Sequence, residues 1–353
     1  MDFSIAAILA QDGITSGAVY ALLALALVLV FSATRVIFIP QGEFVAFGAL
    51  TLAAIQADKL PLSATLLVVL GALSFIQETV ALAFDRNGES RGTVVRRISV
   101  ALLKFVLLPL AIFAVARVYG HASLAMPLQV LLTLAIVVPT GPMIYRLAFQ
   151  PLAEASTLVL LIVSVAVHYA LTGIGLLMFG AEGSRTTSFS DARFEIGGLT
   201  VSGQSCVIIM VSLLLIVALY LYFERTLSGK ALRATAVNRL GAQLVGIGTT
   251  QAGRLAFTLA AALGALCGIL IAPLTTIYYD SGFLIGLKGF VGAIIGGLGS
   301  YPVAAAGALL VGLLESYSSF WASAFKEVIV FTLIIPVLLW RSLTSKQIDE
   351  GGQ

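Results

Sequence analysis

The chain has 353 residues, 59% hydrophobic and 10% charged, with a mean hydropathy of +1.06 and a formal net charge of +3. Ordinary soluble domains carry roughly 25% charged residues, so this composition excludes a sizeable water-soluble domain and leaves a polytopic membrane protein. Cys206, Cys267, His121 and His168 are the only cysteines and histidines and lie apart from one another; they supply no disulfide framework, metal centre or Ser/His/Asp arrangement, and no metal, cofactor or catalysis is expected.

Uncharged runs, taken in chain order, predict the spans. The first covers residues 13–34, preceded by Asp2 and Asp12 and not by a basic leader, so it is expected to stay attached. Runs at 44–57 and 60–77 follow, then 98–119 with Lys104 and Arg117 placed to snorkel. Further runs lie at 118–145, 155–181, 196–223, 255–279, 289–314 and 328–340. A crossing helix needs roughly 20 residues, so 44–57 and 328–340 must recruit flanking residues or tilt. The run 289–314 contains Gly296, Gly297, Gly299 and Pro302. Proline lacks a donor and disfavours helix at the residue before it, which predicts two half-helices meeting at Gly299-Ser300-Tyr301-Pro302. The expected fold is all-α: one polytopic bundle over residues 1–353 with about 10–11 transmembrane or half-membrane helices and a tail at 342–353.

Lysine and arginine set the orientation. With the N-terminus outside and the 286–315 stretch crossing and returning at its break, thirteen basic residues fall inside and six outside, Lys288 among the six. This predicts N-out and C-in, with cysteines at Ser90 and Ser228 labelled from the inner side. The inner segment 224–254 holds five basic residues and one acidic residue, so its net charge is +4 while the rest of the chain sums to −1. A short helix is expected over 229–244, with Ala231, Ala234, Asn238, Gly241 and Val245 along one face. It reads either as a docking surface for another protein or as a solvated loop made basic by its side of the membrane.

Polar residues inside apolar runs are the pathway candidates. Gln41 and Glu43 sit in Pro40-Gln41-Gly42-Glu43 at a span edge; Glu43 is placed to meet a substrate ammonium or to hold a helix end. Ser16 and Tyr20, and likewise Ser164 and His168, are four residues apart on one helix face. Each pair reads as a polar track or as interhelical hydrogen bonding. Lys288 and Glu315 read as interface anchors.

Two stretches carry a family resemblance. Segment 224–254 is similar to the pattern G-x-x-x-R-A-x-x-x-D-x-x-x-A-x-x-x-G-I, matched by Gly229, Arg233, Ala234, Ala242, Gly246 and Ile247, with Asn238 in place of the acid. The stretch from Gly286 resembles GLKAF…GGLGS.PGA…GLLE at Gly286, Leu287, Lys288, Phe290, Gly296, Gly297, Leu298, Gly299, Ser300, Pro302 and Gly312 to Glu315. Both patterns belong to permease subunits of ABC importers for branched-chain amino acids, and Gly13, Gly17, Tyr20, Ala21 and Leu22 resemble that family's first span. Phe38-Ile39-Pro40-Gln41-Gly42-Glu43 keeps only the Gly-Glu pair of N-F-A-H-G-[DE], and Phe149-Gln150-Pro151-Leu152-Ala153 lacks both arginines of Y-R-P-L-R. Residues 60–120 have no counterpart in the usual pattern and read as an inserted helical hairpin.

The resemblance implies a multi-pass protein of the bacterial inner membrane, in contact with membrane lipid and not with nucleic acid. It implies a second permease subunit, ATP-binding ABC subunits beneath, and a periplasmic or lipid-anchored substrate-binding protein. The chain has no G-x-x-x-x-G-K-[ST], so ATP hydrolysis is expected on separate subunits. Gly229, Arg233, Ala234, Asn238 and Gly246 would form the ATPase-coupling element, and Ala234→Trp is expected to uncouple transport without preventing insertion. The implied substrates are branched-chain amino acids or related small polar solutes. Urea, short amides or sugars are the near alternative; an ion-gradient-driven secondary transporter is the more distant one, since only one break and no repeat are evident.

Overall fold

A computed structural model describes residues 3–84, 91–119, 124–196 and 199–344; Arg86, Ser90, His121, Lys346 and the tail from residue 345 lie outside the described residues. The chain begins with α1 (Phe3–Thr34), α2 (Gln41–Gln56) and α3 (Ser63–Phe84). Next come α4 (Arg91–Leu102) and α5 (Leu108–Tyr119), joined through the π-helical turn Leu103–Leu107. Then α6 (Met126–Val137) and α7 (Thr140–Ile144) run into Tyr145–Phe149 and Gln150–Leu152, followed by α8 (Thr157–Phe179). The hairpin β1 (Arg193–Ile196) and β2 (Leu199–Ser202) precedes α9 (Gly203–Arg225), α10 (Leu227–Val237) and α11 (Arg239–Leu244). The last helices are α12 (Thr249–Ile271), α13 (Ser281–Ile295), α14 (Tyr301–Trp321), α15 (Lys326–Thr332) and α16 (Ile334–Thr344).

Among the described residues, eight helical stretches are long and apolar enough to cross a membrane. With α2, α13 and the α15–α16 pair they make eleven segments. The first helix starts ten residues before the uncharged run and carries Asp12 exposed on its surface. It is also the centre of the bundle: 83% of its best apolar window is buried, against 11% for 92–119 and 17% for α9. Small residues allow this. Gly13 lies against Leu313 and Gly17 against Leu309, so α14 packs antiparallel on α1 at close range, with α12 and α13 alongside. The outer helices present apolar side chains such as Leu177, Met210 and Leu214 away from the protein, as lipid requires.

Several expectations need correction. The helix at 60–77 continues through Glu78 to Phe84, and the one at 98–119 begins at Arg91. Ile196 and Leu199 to Ser202 of the 196–223 run are strand, and Ser202 caps α9 by accepting from the Ser205 amide at 3.1 Å. The stretch 289–314 is interrupted as expected, by a turn between two antiparallel helices, but α14 is long enough to cross by itself and is not a half-helix. Gly292 lies beside Ala308 and Gly296 beside Ala304. The chain reverses at 296–300, where Gly297 and Leu298 have φ of 65° and 56°. Pro302 stands in the first turn of α14, where the missing amide proton costs no helical hydrogen bond. The proline therefore starts a helix; the glycines make the turn.

Candidate functional site

The run 44–57 lies in α2, which recruits Gln41 to Glu43 as helix and is preceded by an extended segment. After Thr34 the chain turns at Arg35, whose φ is 61°, and runs without helix to Pro40 before α2 begins. Phe38 anchors this segment, with its ring centroid 4.6 Å from Phe257, 5.8 Å from Phe149 and 5.9 Å from Phe44. Non-helical backbone at membrane depth needs partners from the protein, and side chains supply them. The Ile39 amide donates to Ser164 Oγ at 2.9 Å and the Val36 amide to Thr34 Oγ1 at 3.3 Å. Gln41 Nε2 donates to the Ala260 carbonyl at 2.9 Å, tying the start of α2 to α12.

Glu43, fully buried in the first turn of α2, stands 2.9 Å from His168 Nδ1. His168 is the twelfth residue of the 23-residue α8, so the pair lies near mid-depth of a crossing helix. The imidazole stacks on Phe283 of α13 at 4.6 Å between ring centroids. Gly42 faces Gly282 across this contact; a Cβ on either would collide with the other's carbonyl, so the two helices touch through backbone. The amino-terminal end of α2 favours a carboxylate through its dipole. Glu43 Oε2 and Gln41 Oε1 are buried without a hydrogen-bond partner, leaving two acceptors for an N–H or O–H group.

Gln41, Glu43, Ser164 and His168 are thus brought together, whereas Ser16 and Tyr20 are not part of that cluster. The Tyr20 hydroxyl donates to Glu315 Oε2 at 2.6 Å. Lys288 Nζ lies 2.5 Å from Glu315 Oε1, 3.2 Å from Glu327 Oε1 and 5.8 Å from the Tyr20 ring centroid. Lys288 is 6% exposed inside α13. The reading of Lys288 and Glu315 as interface anchors is therefore corrected to a buried ion cluster joining α1, α13, α14 and α15, and the outer charge count falls to five. Ser16 lines a separate cavity with Asp12, Glu315 and Lys326. Phe283 and Glu327 gave no sequence signal, since neither spacing nor composition distinguishes them from lipid-facing and loop residues.

In segment 224–254, the helix expected over 229–244 is two helices. Asn238 leaves helical geometry and caps α11, its Oδ1 accepting from the Gly241 amide at 2.8 Å. Aspartate caps equally well, which explains why asparagine can stand where the family pattern has an acid. Gly229 is packed in the first turn of α10 against the end of α9, and Gly246 follows α11 exposed at φ 85°. Arg233 pairs with Glu224, and Arg239 Nη1 donates to the Ala153 carbonyl at 2.9 Å. Ala234 is half-buried, so it is not the exposed contact that its size suggested. Leu227, Val237, Leu240, Leu244 and Val245 are the exposed apolar side chains here, Leu227 at 88% and Leu244 at 81%. All but Val245 were missed because isolated apolar residues in a basic loop carry no periodic signal.

The profile of the family described as "Branched-chain amino acid transport system / permease component" matches residues 9–338. The chain is 31% identical over 206 residues to the high-affinity branched-chain amino acid transport system permease protein LivH of Escherichia coli, covering 56% of this chain and 67% of that one. It is 31% identical over 208 residues to the corresponding protein BraD of Pseudomonas aeruginosa, covering 57% and 68%. Identity to a probable branched-chain amino acid transport permease protein LivH of Methanocaldococcus jannaschii is 30% over 190 residues, covering 52% and 60%. No solved structure matches. With a multi-pass bundle and a family profile spanning nearly its whole length, the chain belongs to the branched-chain amino acid transport permease family.

Proposed function

We propose that this chain is the permease subunit of an ABC importer in the bacterial inner membrane, forming with a second permease subunit a pathway for branched-chain amino acids or related small polar solutes. ATP-binding subunits would sit beneath α10 and α11, and a periplasmic or lipid-anchored binding protein would deliver substrate outside. The observation that carries the reading is the exposed apolar face of Val237, Leu240, Leu244 and Val245 on a basic inner segment of a permease-family chain. Such a face needs a protein to cover it. Residues 224–254 are the coupling loop in this reading, and residues 60–120 the inserted hairpin.

The discontinuous span is the element that moves. Its polar contacts come from α8 and α12, and α12 follows α11 directly, so displacement of the docked α10–α11 segment has a short route to the Glu43–His168 pair. Nucleotide binding and substrate binding would each favour one arrangement of that span. Proteoliposomes containing the assembled importer test this: ATP-dependent uptake of radiolabelled leucine, unchanged by ionophores, is expected. Uptake without ATP, driven by an ion gradient, would overturn the assignment. ATP-driven uptake of urea, a short amide or a sugar in place of leucine would keep the class and change the substrate.

A further inference from the structure

Two adjoining cavities of about 380 and 260 Å³ open where α3 and α4 meet the inner ends of α6–α7 and α12. They share Glu78, Arg97, Arg146 and Arg254 as walls, and Arg96 and Lys104 line the smaller one. Among the described residues that line them, five cations face one carboxylate. Glu78 already pairs with Arg146 and, at 3.7 Å, with Arg97. Arg254 Nη2 donates to Gln150 Oε1 at 3.2 Å, a neutral partner.

Arg146 is 7% exposed and its guanidinium lies 4.7 Å from the Phe105 ring centroid. Its Nε and that of Arg254 are both buried without a hydrogen-bond partner. Unsatisfied buried donors on two cations are costly, and the guanidiniums that carry them both wall the cleft. Apart from Arg254, the last residue of the coupling loop, the transport reading gives these side chains no role.

We propose that this cleft binds a phosphate-bearing anion, with Arg146 and Arg254 at its floor and Arg96, Arg97 and Lys104 at its rim. A phosphate matches the number and fork geometry of the guanidinium donors. The surroundings favour the headgroup of an anionic phospholipid of the inner leaflet. Val100 and Leu103, exposed beside the cleft on α4 and the following π turn, and Val80 on α3 offer an apolar path for acyl chains. Lys104 is likewise exposed and can reach the interface.

The full-length chain, purified and delipidated in neutral detergent, is titrated with fluorescent phosphatidylglycerol and phosphatidylcholine, with inorganic phosphate as competitor. Phosphatidylglycerol is expected to bind at least tenfold more tightly than phosphatidylcholine, and the K104Q/R254Q variant to lose about tenfold of that affinity. K104R/R254K, which keeps both charges, should retain most of it. If K104Q/R254Q does not fold, R96Q/K104Q at the exposed rim takes its place. Competition by inorganic phosphate at equal affinity would keep the anion site and assign a soluble source. Equal phosphatidylglycerol binding by the parent chain and the neutralised variant, or no preference over phosphatidylcholine together with no binding of inorganic phosphate, would overturn the proposal.

Discussion

Lys288 shows what a single charge does inside this bundle. Its ammonium is buried between two carboxylates and a phenol, so removing it leaves Glu315 and Glu327 facing each other without compensation. Breaking such a pair from one side costs about 3–5 kcal/mol, whereas replacing both partners costs far less. Lys288→Met is therefore expected to lower the thermal midpoint of the detergent-purified protein clearly, and Lys288→Met/Glu315→Gln to recover most of the loss. Equal destabilisation by the single and double variants would show that the charges are independent. The Glu43–His168 contact is the second test at this scale. A double-mutant cycle with Glu43→Gln and His168→Phe, the latter preserving the ring against Phe283, should give a coupling energy of about 0.5–3 kcal/mol. Additive effects would mean that the 2.9 Å contact carries no energy.

Secondary-structure elements here are defined as much by their ends as by their apolar faces. The extended segment before α2 holds its place because Ser164 accepts the Ile39 amide proton. Ser164→Ala would strand that donor at membrane depth, at a cost of about 1–3 kcal/mol. A lower melting midpoint is expected, with partial rescue by Ser164→Thr; an unchanged midpoint would place another acceptor there. At the inner face the decisive residues are the exposed ones. Leu240→Asp/Leu244→Asp should reduce ATP-driven uptake at least tenfold while the protein accumulates normally in the membrane. Both side chains project away from the bundle, so folding contacts are spared. Ala234→Trp is a less clean test, because a half-buried site mixes docking with packing. Normal uptake by the double aspartate variant would remove α11 from the docking surface.

For the whole molecule, eleven crossings with the outer N-terminus expected from the charge asymmetry would put the basic segment 224–254 and the end of α16 on the inner side. The Arg185 loop and the β1–β2 hairpin fall on the opposite side. In a cysteine-free background, Cys206→Ala/Cys267→Ala, Ser228→Cys should react with an impermeant maleimide only from the inner side and Ser188→Cys only from the outer. The reverse pattern would invert the molecule and remove the α10–α11 face from reach of a cytoplasmic ATPase. α1 is central because its small residues let α14, α12 and α13 approach its backbone together. The arrangement of the bundle is thus set by where glycine and alanine fall, since apolar side chains gain nothing by leaving lipid for protein.

The amino-acid sequence by itself determined the membrane class, because apolar length and charge scarcity are properties of composition that no packing can reverse. It also carried most of the crossings, the basic inner segment and the family patterns at Gly229 to Ile247 and Gly286 to Glu315. Only the tertiary structure decided which polar residues meet. Glu43 and His168 lie 125 positions apart and Lys288 and Glu327 nearly 40, and hydropathy holds no information on pairing across helices. The tertiary structure likewise decided that 296–300 is a turn, that Pro302 begins a helix and that Arg35 to Pro40 is not helical. Those outcomes depend on partners such as Ser164 and Ala304, supplied by distant parts of the chain, which satisfy the backbone or leave it room.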